Sequence, residues 1–270
     1  MGALAKLAIV GAGGMLGRAV ARAAGDDALA LTRAELDVTD AGAVRDALAG
    51  AGTVVNCAAW TDVDGAEEHA EEALRVNRDG ARNVAEAAER VVYVSTDYVF
   101  DGHSDEPYRP QDPTAPLSVY GRSKLEGEEA TAAANPDHLV VRSSWLFGPD
   151  GGNFVDTMLR LGRERDAVRV VDDQLGCPTY TGHLAPALVA LARGGERGIV
   201  HVAGDGHCSW YELAREALTQ AAVDVEIEPC TTAEFHLPAP RPSYSVLAVE
   251  DRHRLPGWRD GVRAHLGERA

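Results

Sequence analysis

Leu4-Ala5-Lys6-Leu7-Ala8-Ile9-Val10-Gly11-Ala12-Gly13-Gly14-Met15-Leu16-Gly17 begins as a short apolar strand, turns on glycines and runs into Arg18-Ala19-Val20-Ala21-Arg22-Ala23-Ala24 at helical period. Gly11, Gly14 and Gly17 keep the Gly-x-x-Gly-x-x-Gly spacing. That spacing serves a tight turn, close approach of backbone to a pyrophosphate and close helix-to-strand packing, while the helix N-terminus offers free N–H groups to the phosphates. Placed between a first strand and a first helix, it points to dinucleotide binding rather than to a mere turn.

Outward from this turn, residues 28–31, 53–57, 91–95 and 138–142 read as strands, and 66–88 and 117–133 as helices. The alternation predicts an α/β fold, a Rossmann-like doubly wound parallel sheet, with ligands beyond the carboxyl ends of its strands. A smaller C-terminal substrate-binding lobe is expected, with residues 1–146 and 167–203 in the dinucleotide-binding unit and 147–166 and 204–270 in the lobe. A chain of 270 residues that is 45% hydrophobic can bury a large core.

No apolar run approaches membrane-spanning length, and the first residues lack a charged leader and cleavage site, so a cytoplasmic protein with no membrane partner is expected. Four scattered cysteines without a Cys-x-x-Cys pair read as free thiols. A net charge of -16 argues against nucleic-acid binding, yet allows a nucleotide held in a locally positive cleft. The acidic runs 67–72 and 126–129 read as solvated helix faces, and no metal site is assigned. A monomer or a homodimer is expected.

The strand ends supply the candidates. After the second strand, Arg33 is either an acceptor of a 2'-phosphate, which favours NADPH over NADH, or a solvated loop cation. Asp37, followed by Val38, either touches the adenine or caps the next helix. After the third strand, Asn56-Cys57-Ala58-Ala59-Trp60-Thr61-Asp62-Val63-Asp64 has small residues that let a cofactor lie against the backbone. After the fourth, the Thr96 hydroxyl can polarise a carbonyl or simply end the strand through a local bond. After the fifth, Trp145 either floors a sugar pocket or belongs to the core.

Only two of the 26 basic residues are lysines, and one of them, Lys124, stands four positions after Tyr120. On a helix that spacing places both side chains on one face. A neighbouring ammonium is expected to draw the phenol's pKa down and make Tyr120 a general acid.

Together, Gly-x-x-Gly-x-x-Gly, the 56–64 segment, Ser95-Thr96-Asp97-Tyr98-Val99-Phe100-Asp101-Gly102, Tyr120-Gly121-Arg122-Ser123-Lys124 and Arg142-Ser143-Ser144-Trp145-Leu146-Phe147-Gly148 resemble the extended short-chain dehydrogenases/reductases, and more narrowly the dTDP-4-dehydrorhamnose reductase family. The likeness continues through Gly152-Asn153-Phe154, 173–179, Ser209-Trp210-Tyr211-Glu212 and Arg241-Pro242-Ser243-Tyr244-Ser245. It implies reduction of the C4 ketone of a dTDP-4-dehydro-6-deoxyhexose with NADPH, NADH being possible, and a dTDP-sugar as the small-molecule substrate.

The resemblance implies that Tyr120 protonates the keto oxygen, that Lys124 lowers its pKa and holds the nicotinamide ribose, and that Thr96 bonds the substrate oxygen. Gly11, Gly14, Met15, Leu16, Gly17, Asp37, Val38, Ala58, Ala59 and Trp60 match cofactor contacts, Asp97 and Trp145 match sugar contacts, and Asn153 and Arg241 are candidates for the nucleotide diphosphate. Three departures stand out: the short 85–90 connection, Trp60 where a tyrosine or histidine is more familiar, and Ala248 where the pattern has an aspartate after Leu247. Asp97 is followed by Tyr98 and not by the glutamate that dehydratases of this superfamily use for elimination, which favours carbonyl reduction. One alternative is a 4-ketoreductase for another dTDP-deoxysugar. Another is a non-catalytic NADP-binding subunit like the regulatory β subunit of methionine adenosyltransferase.

Overall fold

In the computed structural model, which describes residues 6–268, β1 (Lys6–Val10) leads through the glycine turn to α1 (Met15–Ala24), β2 (Leu29–Leu31), α2 (Ala41–Ala47) and β3 (Ala51–Asn56). Then come α3 (Gly65–Glu68), α4 (Ala70–Leu74), a π-helical turn at Arg75–Asp79, α5 (Gly80–Ala87), β4 (Arg90–Thr96), α6 (Val119–Ala134) and β5 (His138–Ser143). The rest of the chain forms β6 (Leu146–Phe147), α7 (Phe154–Glu164), β7 (Ala167–Val171), β8 (Leu175–Gly176), β9 (Thr179–Tyr180), α8 (Thr181–Arg193) and β10 (Gly198–His201). It closes with β11 (Gly204–Asp205), β12 (Cys208–Ser209), α9 (Trp210–Gln220), β13 (Glu226–Cys230), β14 (Leu255–Gly257) and α10 (Trp258–Gly267). No described helix is long and apolar enough to cross a membrane.

Six strands form one parallel sheet in the order β10-β5-β4-β3-β1-β2. From β1 the chain steps first to β2 on one side and then to β3 on the other, and this reversal opens a crevice at the strands' carboxyl ends. Alternate residues serve the two faces. Ile9, Val55, Val92, Leu139 and Val141 pack with Leu16 and Val20 of α1 and Leu184 and Leu188 of α8. Ala8, Val10, Val54 and Val91 pack with Val44 and Val84 on the opposite side. Because helices cover both faces, the strands are nearly continuous apolar runs.

Residues 66–88 do not form the single helix that their periodicity predicts. The segment breaks at His69 and widens into the π turn, where the fully buried Asn77 turns its amide outward to the 56–64 loop. The short 85–90 connection is rebuilt around one side chain. Asn135 Nδ2 donates to the carbonyls of Ala85 and Ala88 at 2.9 and 2.8 Å, satisfying acceptors at the end of α5.

A second core gathers Val155 and Leu159 of α7, Leu213 and Leu218 of α9 and Trp258 and Val262 of α10. Residues 167–171, expected with the central sheet, instead pair in parallel with β13, and Val168 and Val170 join this second core. Their alternation explains it: β7 buries one face, while Arg169 on the other pairs with Glu234. Helix α8 and β10 do pack with the sheet.

Candidate active site

The cleft at the carboxyl ends of β1 to β5 has a volume of about 1020 Å³. At its start, the amides of Gly11 and Ala12 both donate to Leu31 O at 2.9 Å, folding the turn under β2. Gly11 has φ +79, and a Cβ there would lie 2.5 Å from Ala58 N; at Gly17 a Cβ would lie 2.1 Å from Gly11 O. Both glycines are therefore needed for close backbone packing, whereas Gly14 stands at the N-terminus of α1 with no side-chain cap, leaving the helix's first N–H groups directed at the cleft. That cradle fits a dinucleotide pyrophosphate. Met15, Leu16, Ala58, Ala59 and Trp60 also line it.

Arg33, Asp37 and Val38 lie together at the β2 end of the cleft. Asp37 caps no helix: its Oδ1 accepts from Thr39 N at 2.9 Å and Thr39 Oγ1 at 2.8 Å, and these bonds hold the carboxyl below its ordinary range. The α2 cap is Asp40. Arg75, on the π turn, lines the same end. Its approach depends on the break in the expected helix and was not legible from spacing along the chain. Four cationic residues, Arg18, Arg33, Arg75 and Lys124, against Asp37 and Asp97 make the cleft locally positive in an acidic protein.

Asn77, also unforeseen, clamps the third-strand loop. Its Oδ1 accepts from Trp60 N at 2.8 Å, and its Nδ2 donates to Trp60 O at 3.1 Å and to Ser123 Oγ at 2.8 Å. One side chain thus ties the loop beside the cofactor cradle to the helix carrying Tyr120 and Lys124. Trp60 Nε1 donates to Asp62 O at 2.9 Å, so the tryptophan is held by its own loop.

Ser118 caps α6, and Tyr120 lines the cleft together with Thr96. Thr96 Oγ1 accepts from Tyr98 N at 3.2 Å and donates to Asp97 Oδ1 at 3.1 Å. One turn on, Lys124 is 2% exposed, donates to Val94 O at 2.7 Å and lies 4.1 Å over the Tyr93 ring. Burial pushes its ammonium down to about 7, against the pull of Glu128. Burial likewise pushes the Tyr120 phenol up to about 12, opposed by the nearby Thr96 hydroxyl. This reverses the expected direction for Tyr120: desolvation dominates, and the buried Asp97 carboxyl raises the phenol further.

Glu128 corrects the reading of 126–129 as solvated. It is 3% exposed and holds Arg142 in a fork, Nε to Oε1 at 2.9 Å and a terminal guanidinium nitrogen to Oε2 at 2.7 Å, while Ser95 Oγ donates to Oε1 at 2.5 Å. Asp97 is buried, accepts from Ser245 Oγ at 2.5 Å, and is pushed up to about 6 by burial. That bond joins the 241–245 segment to the end of β4.

Trp145 has φ +48 and stacks on Trp210 at 3.5 Å with an interplanar angle of 3°. Both rings line the cleft, and Gln174 accepts from Trp210 Nε1 at 3.0 Å. Trp210 completes an aromatic wall that only the tertiary fold assembles. Asn153 and Arg241 lie outside the cleft lining. The Asn153 amide caps α7 and donates to Gly148 O at 2.9 Å, and Arg241 is bound to Asp64 at 3.0 and 2.8 Å. Both polar heads are committed to holding the fold.

A glycine-turn nucleotide cradle beside a Thr-Tyr-Lys set on a doubly wound sheet defines an extended short-chain oxidoreductase. The family described as RmlD substrate binding domain matches residues 5–269, and this chain belongs to it. A relative from Mycobacterium tuberculosis, dTDP-4-dehydrorhamnose reductase, is 45% identical over 97% of this chain and 92% of its own. Another, from Streptomyces antibioticus, described as a probable dTDP-4,6-dihydroxy-2-methyloxan-3-one 4-ketoreductase, is 43% identical over 94% of this chain and 92% of its own. The crystal structure of dTDP-4-dehydrorhamnose reductase from Bacillus anthracis in complex with NADP superposes with a TM-score of 0.94 at 35% identity, covering 98% of this chain and all of that one.

Proposed function

We propose that the protein is an NADPH-dependent reductase that converts the C4 ketone of dTDP-4-dehydrorhamnose to the alcohol of dTDP-L-rhamnose. The observation that carries this is the Thr96–Tyr120–Lys124 arrangement in the same cleft as the glycine turn. When bound, NADPH supplies the hydride. Gly11, Gly14 and Gly17 with the start of α1 would hold its diphosphate, Arg33 its 2'-phosphate, and Tyr120 and Lys124 its nicotinamide ribose.

The residues' own chemistry follows from their environments. Thr96, by turning its hydroxyl from Asp97, and Tyr120 would both donate to the ketone oxygen, and two donors stabilise developing negative charge there. With its phenol pushed up to about 12, Tyr120 stays protonated at neutral pH and delivers that proton to the oxygen. The Lys124 ammonium favours the phenolate left behind. Trp145 and Trp210 give the sugar a flat apolar wall and exclude water from one side of the site.

The test is to supply purified protein with dTDP-4-dehydrorhamnose and either NADPH or NADH. NADPH oxidation with formation of dTDP-L-rhamnose is expected; no oxidation of either cofactor would contradict the reading. A second reading, reduction of another dTDP-4-ketosugar, draws on the likeness to the Streptomyces antibioticus relative and is separated by comparing rates and product stereochemistry across such sugars.

A further inference from the structure

We infer that Ser143 is a further cofactor contact, its hydroxyl taking the carboxamide of the bound nicotinamide. The inference rests on the reading of the cleft as an NADPH site. Ser143 is the last residue of β5 and lies in register with Thr96 at the end of β4. It lines the cleft, yet it is only 3% exposed. Among the described residues its Oγ has no hydrogen-bond partner.

A buried hydroxyl without a partner is costly, and native folds rarely leave one unused. The neighbouring residue sharpens the contrast. Ser144 Oγ donates to Cys177 O at 3.0 Å and accepts from Cys177 N at 3.1 Å, so the fold fully employs one serine and leaves the adjacent one free. Around Ser143 the other polar groups of the floor are engaged: Thr96 and Asp97 with each other, Asp97 with Ser245, and Lys124 with Val94 O. Ser143 therefore has hydrogen-bonding capacity to give to a ligand.

The order of the strands indicates which part of the ligand. The glycine turn belongs to β1, and the sheet runs from there through β3 and β4 to β5. Tyr120 and Lys124, assigned to the nicotinamide ribose, stand over β4, where Lys124 bonds Val94. Beyond the ribose only the ring remains, and its one hydrogen-bonding substituent is the carboxamide, with an acceptor and two donors to offer a hydroxyl. The sugar is expected from the other side, where Trp145 and Trp210 form the wall.

Ser143→Ala tests this in the full-length protein. Because the hydroxyl supports no protein bond and its burial carries a cost, the ligand-free variant should melt at or above the wild type. Its NADPH dissociation constant, measured by titration, should rise about tenfold, the usual cost of leaving a partner unsatisfied. The fragment 2'-phospho-ADP-ribose, which lacks the nicotinamide, should bind both proteins equally. Unchanged NADPH affinity, an equal loss for the fragment, a defect confined to the sugar's KM, or a clearly lowered melting temperature would each overturn the inference. Failure of the wild type itself to bind NADPH would instead sink the cofactor reading on which the inference stands.

Discussion

At the β2 end of the cleft, Arg33, Asp37 and Arg75 are exposed side chains on loops and a widened helical turn, whereas at the β4 end Thr96, Asp97 and Lys124 are buried between strand and helix. The difference sets what each end can do. Charges in water make weak, salt-screened interactions, so they select among ligands at small energetic cost. Charges taken out of water shift, and each must be held by a specific partner. Asp97 up to about 6 and Lys124 down to about 7 belong to the second kind. Cofactor preference should therefore be adjustable at one end, and chemistry fragile at the other.

The largest break should come at the buried end. Tyr120→Phe should lower kcat about a thousandfold, removing the proton donor, while the NADPH dissociation constant measured by fluorescence rises by no more than about tenfold, the loss of one ribose contact. Equal turnover in both proteins would remove the acid from Tyr120. Next, Glu128→Gln strips the partner from a buried guanidinium and should cost about 3 kcal/mol in urea unfolding. A loss under about 0.5 kcal/mol would mean that the Glu128–Arg142 fork behaves like a surface pair.

The pH profile distinguishes the ends by titration. With its folded value near 7, Lys124 loses its ammonium above neutrality, so kcat/KM should fall by up to about tenfold per unit as pH rises past 7. For stability the sign runs the other way. Lys124's folded pKa lies below its ordinary 10.5, so the unfolded chain binds more protons between about 7 and 10.5, and this residue's penalty is full below 7 and relieved as pH rises through that window. Lys124→Met should flatten that part of the melting-temperature profile; an unchanged profile would contradict the buried ammonium. The smallest effect belongs to the exposed end. Arg33→Ala and Arg75→Ala should each raise the KM for NADPH by about fivefold in low salt and leave NADH unaffected. A loss shared by both cofactors would remove the 2'-phosphate from that end.

Much of this was legible in the chain because local rules and the fold agree. The glycine spacing, the apolar strands and the Tyr120–Lys124 pair each depend on positions a few residues apart, and all of them meet in the cleft. What escaped depends on contacts distant in sequence. The π turn within 66–88 carries Asn77, which reaches Trp60 and Ser123. Glu128 looked like one more surface acid until Arg142 arrived from the next strand, and Trp210 joined the site through Trp145. The direction of the Tyr120 shift was misjudged for a related reason: the sequence displays the ammonium neighbour and conceals the depth of burial. Asn153 and Arg241 had suitable chemistry for a diphosphate, but their polar heads are spent on a helix cap and on Asp64.

The most direct test follows the hydride. With dTDP-4-dehydrorhamnose and NADPH deuterated at the transferring position of C4, the account predicts one deuterium on the sugar's C4 for each NADPH oxidised, seen by NMR of the isolated product. Oxidation without label at that carbon, or no oxidation at all, would contradict it.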